Sequence, residues 1–167
     1  MSIKILESLE TWCKAQEFAL RIYRELIPCL PADEKWGLCQ QLRRSTTSIP
    51  ANIAEGHGRY YYQDNVRFCY IARGSLEETL SHISFCYQVG YIPEPLYRGM
   101  EQDGEKLSKM INGYIAYLKR SKQGAGEPGA NYTLREPTEP YITDASESPL
   151  PNTDYRIFLI PPPSSLL

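Results

Sequence analysis

The chain has 167 residues, of which 42% are hydrophobic and 23% charged, and its formal net charge is −2. These values are typical of one ordinary globular domain. A membrane-spanning protein is not expected, because the sequence contains no apolar run of about 18 residues. The N-terminal stretch Met1–Glu7 is too short and too charged for a secretory signal, so we expect a cytoplasmic protein.

Charge and proline are distributed unevenly along the chain. Residues 1–122 carry 16 basic and 14 acidic side chains, whereas residues 123–167 carry 2 basic and 6 acidic ones. Eight of the 13 prolines also fall in the second region. We therefore expect a helical domain over 1–122 and a disordered, proline-rich acidic tail over 123–167. The apolar run 155–160 is either a docking peptide, a segment that folds back onto the domain, or an extension without a role.

Apolar residues at helical spacing predict four long helices and no strand within 1–122. The first runs from about Leu9 to Ile27 and the second from near Asp33 to Gly56 or Gly58. The third spans about Gln63 to Val89, with Gly90 as its C-cap, and the fourth runs from after Pro93 to about Arg120. Short connections predict an all-α, antiparallel up-down-up-down four-helix bundle.

The same spacing predicts which side chains face the core. In the first helix these are Leu9, Trp12, Cys13, Ala19, Leu20, Tyr23, Leu26 and Ile27. In the second they are Leu38, Leu42, Ser45, Ile49 and Ile53, and in the fourth Met100, Gly104, Leu107, Ile111, Tyr114 and Leu118. In the third they are Phe68, Ile71, Ala72, Ser75, Leu76, Thr79, Leu80, Ile83 and Cys86.

Polar residues surround Pro50 in the second helix. The apolar stripe continues across this proline, and Ile49 would be a poor N-cap for a new helix, so we predict one continuous helix kinked at Pro50. Ser48, Asn52 and Glu55 lie on either side of it. We interpret Ser48, Pro50, Asn52 and Glu55 as a polar lock between helices. A ligand site at Asn52 and Glu55 is the alternative.

An aromatic and basic cluster follows at Arg59-Tyr60-Tyr61-Tyr62, with Arg67 one to two helical turns further on. Tyrosine faces stack on unpaired bases, and arginine contacts phosphates, so this cluster is typical of a nucleic-acid-binding surface. With Arg43, Arg44 and Arg73 it predicts a basic stripe over the second and third helices. Packing of the loop, or a contact between subunits, is the alternative role for the tyrosines.

The sequence lacks the common catalytic and metal-binding patterns. The two histidines do not occur in a Glu-x-x-His arrangement, and the sequence has neither a phosphate-binding loop nor a nucleophile elbow. The five cysteines contain no Cys-x-x-Cys pair and are expected to be buried thiols. We therefore expect no enzyme activity, no metal and no cofactor.

Two motifs carry a family resemblance. Residues 41–59, QLRRSTTSIPANIAEGHGR, and residues 68–78, FCYIARGSLEE, closely resemble the signature of proteins encoded in intervening sequences of large ribosomal RNA genes. This four-helix bundle family also includes proteins similar to the accessory variability determinant of diversity-generating retroelements. The resemblance covers about residues 9–120, while the acidic tail departs from the compact family pattern.

The resemblance implies a ring of five protomers with a basic surface. In retroelements it implies an accessory protein that binds RNA and a reverse transcriptase and supports complementary-DNA synthesis. Our first hypothesis is therefore an oligomeric nucleic-acid-binding accessory protein that contacts RNA or DNA through the arginines and tyrosines named above. The second is a protein–protein interaction scaffold that does not bind nucleic acid.

Overall fold

The computed structural model describes residues 3–122 and 124–126. Within them lie a short α1 (Ile3–Glu7) and four longer helices: α2 (Glu10–Arg21), α3 (Leu38–His57), α4 (Tyr62–Gln88) and α5 (Glu94–Ser121). Helix α2 packs against α3 and α5, and α4 packs against the same two helices. The predicted all-α four-helix bundle is confirmed.

The first bundle helix continues beyond α2 through a π-helical turn, Ile22–Leu26, and a 3₁₀ turn, Ile27–Cys29. The buried apolar side chains are Ala15, Phe18, Ala19, Ile22, Leu26 and Ile27, whereas Leu20 and Tyr23 are exposed. The prediction of an inward Leu20 and Tyr23 was therefore wrong. Leu20 and Tyr23 are large and mostly apolar, like Phe18 and Ile22, so the sequence pattern is compatible with either of two adjacent helix faces turning inward.

The second helix starts later than predicted. Ala32–Trp36 form a 3₁₀ turn, the backbone breaks at Gly37, and α3 begins at Leu38. The Leu38 amide donates a hydrogen bond of 3.0 Å to Glu34 Oε2, which satisfies one of the free N–H groups at the start of α3. Helix α3 then runs through Pro50 as one helix, which confirms the predicted continuity, and the kink at Pro50 stays a prediction.

The core consists of the apolar stripes of the four bundle helices. Leu42, Ile49 and Ile53 of α3 have no exposed surface, and burying each side chain stabilises the fold by about 1.5–3 kcal/mol. Gly104 lets α5 approach α4 closely, because a Cβ atom there would lie 2.5 Å from Leu80 Cδ2. Ile71, predicted to face inward, is exposed on α4 instead.

Helix α4 ends in a Schellman motif. The Tyr91 amide donates to the Cys86 carbonyl at 2.8 Å, the Gly90 amide donates to the Tyr87 carbonyl at 3.0 Å, and Gly90 has φ of +80°. The predicted glycine C-cap is thus confirmed. The chain reverses direction at this motif and enters α5, whose first turn contains Pro95.

Candidate nucleic-acid interface

The predicted aromatic and basic cluster lies at one end of the bundle, in the connection between α3 and α4. Tyr60 is 58% exposed and meets the half-buried Tyr61 edge to face, with ring centroids 5.3 Å apart. The Arg59 guanidinium forms an ion pair with Glu55 and lies 5.1 Å from the Phe68 ring centroid. The loop therefore presents one tyrosine face and a positioned arginine to solvent.

The remaining members of the cluster differ in exposure. Tyr62 packs against the hydrophobic core at the start of α4, so its ring contributes mainly to the fold. Arg67 is exposed on α4. Arg59, Tyr60 and Arg67 therefore lie at the surface, and the half-buried Tyr61 packs against the Tyr60 ring.

A turn after α5 packs against these tyrosines. Lys122 adopts the left-handed conformation with φ of 47°, and the Ala125 amide donates to the Lys122 carbonyl at 3.0 Å. Gly124 has φ of +77°, and a Cβ atom there would lie 2.9 Å from Tyr61 Cδ1. A glycine is thus required at 124 both for the backbone conformation and for the close contact. Sequence reasoning missed this turn, which lies in the stretch assigned to the tail.

The other predicted arginines do not join this cluster within one chain. Arg43 and Arg44 are neighbours on α3, so their side chains point about 100° apart. Arg44 pairs with Glu78 of α4 at 2.8 Å. Both arginines lie about 20 Å along α3 from the loop, at 1.5 Å per residue. Within one chain, Arg43 and Arg44 therefore lie apart from the Arg59–Tyr61 loop.

Arg73 lies on the side of α4 that faces α5. Its Nη1 donates to Asn112 Oδ1 at 2.9 Å, and its Cζ lies 5.0 Å from the centroid of the Tyr70 ring. Lys119 Nζ approaches the same ring at 5.5 Å. Two cations from two helices therefore converge on one aromatic side chain.

Hydroxyl and amide groups join α3 to α4 at the predicted polar lock. Asn52 Nδ2 donates to the Ser48 carbonyl at 2.7 Å, and Ser48 Oγ lies 2.9 Å from Ser75 Oγ. A second link joins Ser45 Oγ to Thr79 Oγ1, also at 2.9 Å. For three of these partners, Ser45, Ser75 and Thr79, the helical spacing predicts only a core position, and the hydrogen bonds come from the structure.

Two other residues of the predicted lock take different positions. Pro50 is buried within α3, and the hydroxyl of the buried Thr46, four residues earlier, has no hydrogen-bond partner among the described residues. Glu55 lies outside the serine–threonine network, because its carboxylate pairs with Arg59 at the surface. Asn52 and Glu55 are thus engaged separately.

A third polar group closes the loop end of the bundle. Tyr114 Oη lies 3.1 Å from His57 Nδ1 and accepts a hydrogen bond from Asn65 Nδ2 at 3.1 Å. Burial raises the pKa of Tyr114, and the Asn65 bond partly offsets that rise. This group ties α3, α4 and α5 together beneath the Arg59–Tyr61 loop.

The cysteines divide by burial. Cys39, Cys69 and Cys86 are buried, Cys13 is half-buried and Cys29 is exposed. Burial raises the pKa of the Cys69 and Cys86 thiols to about 12, which keeps them protonated at neutral pH.

Across residues 3–122 and 124–126, no three His, Cys, Asp or Glu side chains come together in a metal-binding group. None of the helices in these ranges has the length and apolarity needed to cross a membrane.

Comparison with known proteins places this bundle in a family. The family model of the 23S rRNA-intervening sequence protein matches residues 7–113. The chain therefore belongs to the 23S rRNA-intervening sequence protein family. A similar solved structure is that of a protein of unknown function from the S23 ribosomal protein family of Bacteroides thetaiotaomicron. It shares 28% sequence identity and a TM-score of 0.58, over 63% of this chain and 97% of that chain. None of the curated proteins is significantly similar to the chain.

Proposed function

We propose that this protein is a non-enzymatic accessory protein that binds RNA through the Arg59–Tyr61 loop. The observation that carries the proposal is the 58% exposed Tyr60 ring, held edge to face on Tyr61 beside a positioned arginine. An unpaired base stacks on such a ring, and the guanidinium contacts the adjacent phosphate. Single-stranded or looped RNA is the ligand class that offers both groups.

Family membership supports a role without catalysis. The description of the family refers to an intervening sequence of 23S rRNA and names no reaction. Two described side chains of the types used in catalysis have other partners: His57 contacts Tyr114, and Glu78 pairs with Arg44. A reverse transcriptase is the protein partner that we propose with the RNA. Capture of the reverse transcriptase by the tagged full chain tests this proposal. Elution of the reverse transcriptase separately from the tagged chain would contradict it.

A second copy of the chain is the further partner that we propose, in a ring for which five copies are expected. Helix α4 exposes Ile71 and Phe85 by 42% and 52%, its C-cap residue Val89 is 44% exposed, and their spacing of 14 and 4 residues places the three on one stripe. Gly74 lies close to this stripe, and a Cβ atom there would meet nothing within 4 Å. A mid-helix glycine costs about 1 kcal/mol relative to alanine. Close approach of a partner helix would account for it.

The same stripe favours a protein–protein scaffold as the second candidate function. Light scattering of the full chain tests self-association, with Phe85→Ser as the disrupting variant and Tyr117→Ser, 57% exposed on α5, as the matched control. We expect a mass above that of the monomer for the wild type and the control, and a lower mass for Phe85→Ser. A monomeric wild type would contradict the proposed ring.

RNA binding by loop variants tests the proposed function. The double variant Arg59→Gln/Tyr60→Ser should bind single-stranded RNA about 5- to 150-fold more weakly, which corresponds to the loss of about 1–3 kcal/mol from one stacked base. Arg98→Gln is the matched control, since Arg98 also lies over an aromatic ring and forms ion pairs, but at the N-terminal end of α5. Equal affinities for the wild type, the double variant and Arg98→Gln would show that the loop is not part of the RNA interface.

Arg43→Glu/Arg44→Glu tests the predicted stripe on α3 separately. Because these residues lie about 20 Å along α3 from the loop, a loss of affinity in this variant would show that RNA extends over the side of the bundle. An unchanged RNA affinity would show that Arg43 and Arg44 lie outside the RNA interface.

A further inference from the structure

Arg73 differs from the ion-paired arginines of the described chain. Arg21, Arg44, Arg59 and Arg98 each pair with a carboxylate. Within residues 3–122 and 124–126, Arg73 instead donates to the neutral Asn112 side chain at 2.9 Å and lies over the Tyr70 ring. Its charge is held in place without being neutralised by an ion pair.

Lys119 of α5 adds a second cation at the same place. Its Nζ lies 5.5 Å from the Tyr70 ring centroid, and Arg73 Cζ lies 5.0 Å from it. Glu77 lies one helical turn after Arg73 on α4 and is exposed. Because Arg73 and Lys119 lie beside the same ring, one nucleic-acid strand running along the α4–α5 surface can reach both cations.

We propose that Arg73 and Lys119 seat the phosphodiester backbone of the bound RNA, with Tyr70 and Asn112 as positioning residues. The ligand class rests on the proposed function, whereas the site rests on the geometry of these four side chains. A guanidinium has five N–H donors in a rigid fork. One donor bonded to Asn112 fixes its plane and leaves others for phosphate oxygens.

The chain supplies a closely matched control for this site. Arg98 lies over Tyr97 at 5.3 Å, much as Arg73 lies over Tyr70. It differs in pairing with the carboxylates of Glu94 at 3.5 Å and Glu101 at 3.0 Å. The stacking is thus shared, and the ion pairs distinguish the two arginines.

The salt dependence of RNA binding by the full-length protein tests the site. Arg73→Gln and Lys119→Gln should each weaken binding and reduce the log–log salt slope by about 0.7–0.9, the contribution of one phosphate contact. Asn112→Ala keeps both charges, so it should weaken binding without changing the slope. Arg98→Gln should change neither quantity. Wild-type affinity and slope in both the Arg73 and Lys119 variants would overturn the site while leaving RNA binding by the loop intact.

Tripolyphosphate provides a probe that does not depend on RNA. We expect its addition to the full chain to shift the Asn112 side-chain amide resonance in a saturable way, because that amide contacts Arg73. The shift should persist in Arg98→Gln and disappear in Arg73→Gln and Lys119→Gln. If none of the forms bound RNA, the proposed function would be wrong. The titration would still show whether Arg73 and Lys119 form a phosphate-binding site. Absence of a shift in the wild type would overturn it.

Discussion

Gly56 of α3 lies against Asn65 of α4 so closely that a Cβ atom on Gly56 would be 2.8 Å from Asn65 Oδ1 and 3.0 Å from its carbonyl oxygen. The same atom would lie 2.9 Å from Phe68 Cβ. Two of these neighbours cannot rotate away, because they belong to the backbone or to a Cβ position. We therefore expect Gly56→Ala to lower the free energy of unfolding by about 1–3 kcal/mol, measured in urea.

Gly113→Ala is the control for this prediction. Gly113 lies in α5, and a Cβ atom there would meet nothing within 4 Å. Alanine should stabilise that helix by up to about 1 kcal/mol. Gly56→Ala and Gly113→Ala should thus shift the urea midpoint in opposite directions, and a shift of the same sign for both would contradict the close packing at Gly56.

The Ser45–Thr79 contact should be energetically coupled. Both residues are buried, and their hydroxyl oxygens lie 2.9 Å apart. In a double-mutant cycle with Ser45→Ala and Thr79→Val, we expect a coupling energy of about 0.5–1.5 kcal/mol, the net value of one hydrogen bond. Additive effects of the two substitutions would show that this contact does not stabilise the α3–α4 interface.

The buried thiols should make the fold sensitive to alkali. Cys69 and Cys86 have pKa values of about 12 in the folded protein because of burial, whereas an unfolded cysteine ionises near 8.5. A raised pKa gives stability that is fully present below about pH 8.5 and is lost as the pH rises toward 12. Each thiol should contribute a slope of about 1.4 kcal/mol per pH unit in this window.

Urea unfolding at several pH values between 7.5 and 11 measures this effect. Cys69→Ala and Cys86→Ala should each reduce the alkaline slope, whatever they cost in packing at neutral pH. Cys29→Ala, at an exposed position, is the control and should keep the wild-type slope. If the variants at 69 and 86 kept that slope too, burial would not be holding these thiols in the protonated form.

The bundle could be predicted from the sequence because its helices are amphipathic and its helix ends are marked. In α5 the buried residues Met100, Gly104, Leu107 and Ile111 recur every three or four positions, and Gly90 marks the end of α4. The inward face of α2 was predicted wrongly, since Leu20 and Tyr23 are apolar yet exposed. Only the packing partners of a helix decide between two adjacent apolar faces.

The candidate site could be predicted only where its residues are neighbours in the chain. Arg59 and Tyr60 are adjacent, so their cluster was visible in the sequence. The pairing of Arg73 with Asn112 joins residues 39 positions apart on two helices, and it depends on which helix lies beside α4. The Gly124 contact was missed because its glycine-rich stretch has a composition typical of disordered chains.

RNA binding by the full-length protein across a salt series from about 50 to 200 mM tests the central claim most directly. If the chain binds RNA through Arg59 and the cations of α4 and α5, the logarithm of the affinity should fall linearly with the logarithm of salt concentration. The slope should be about −2 or steeper, as expected for three or more phosphate contacts. No binding at the lowest salt concentration, or an affinity independent of salt, would contradict the account and favour the protein–protein scaffold.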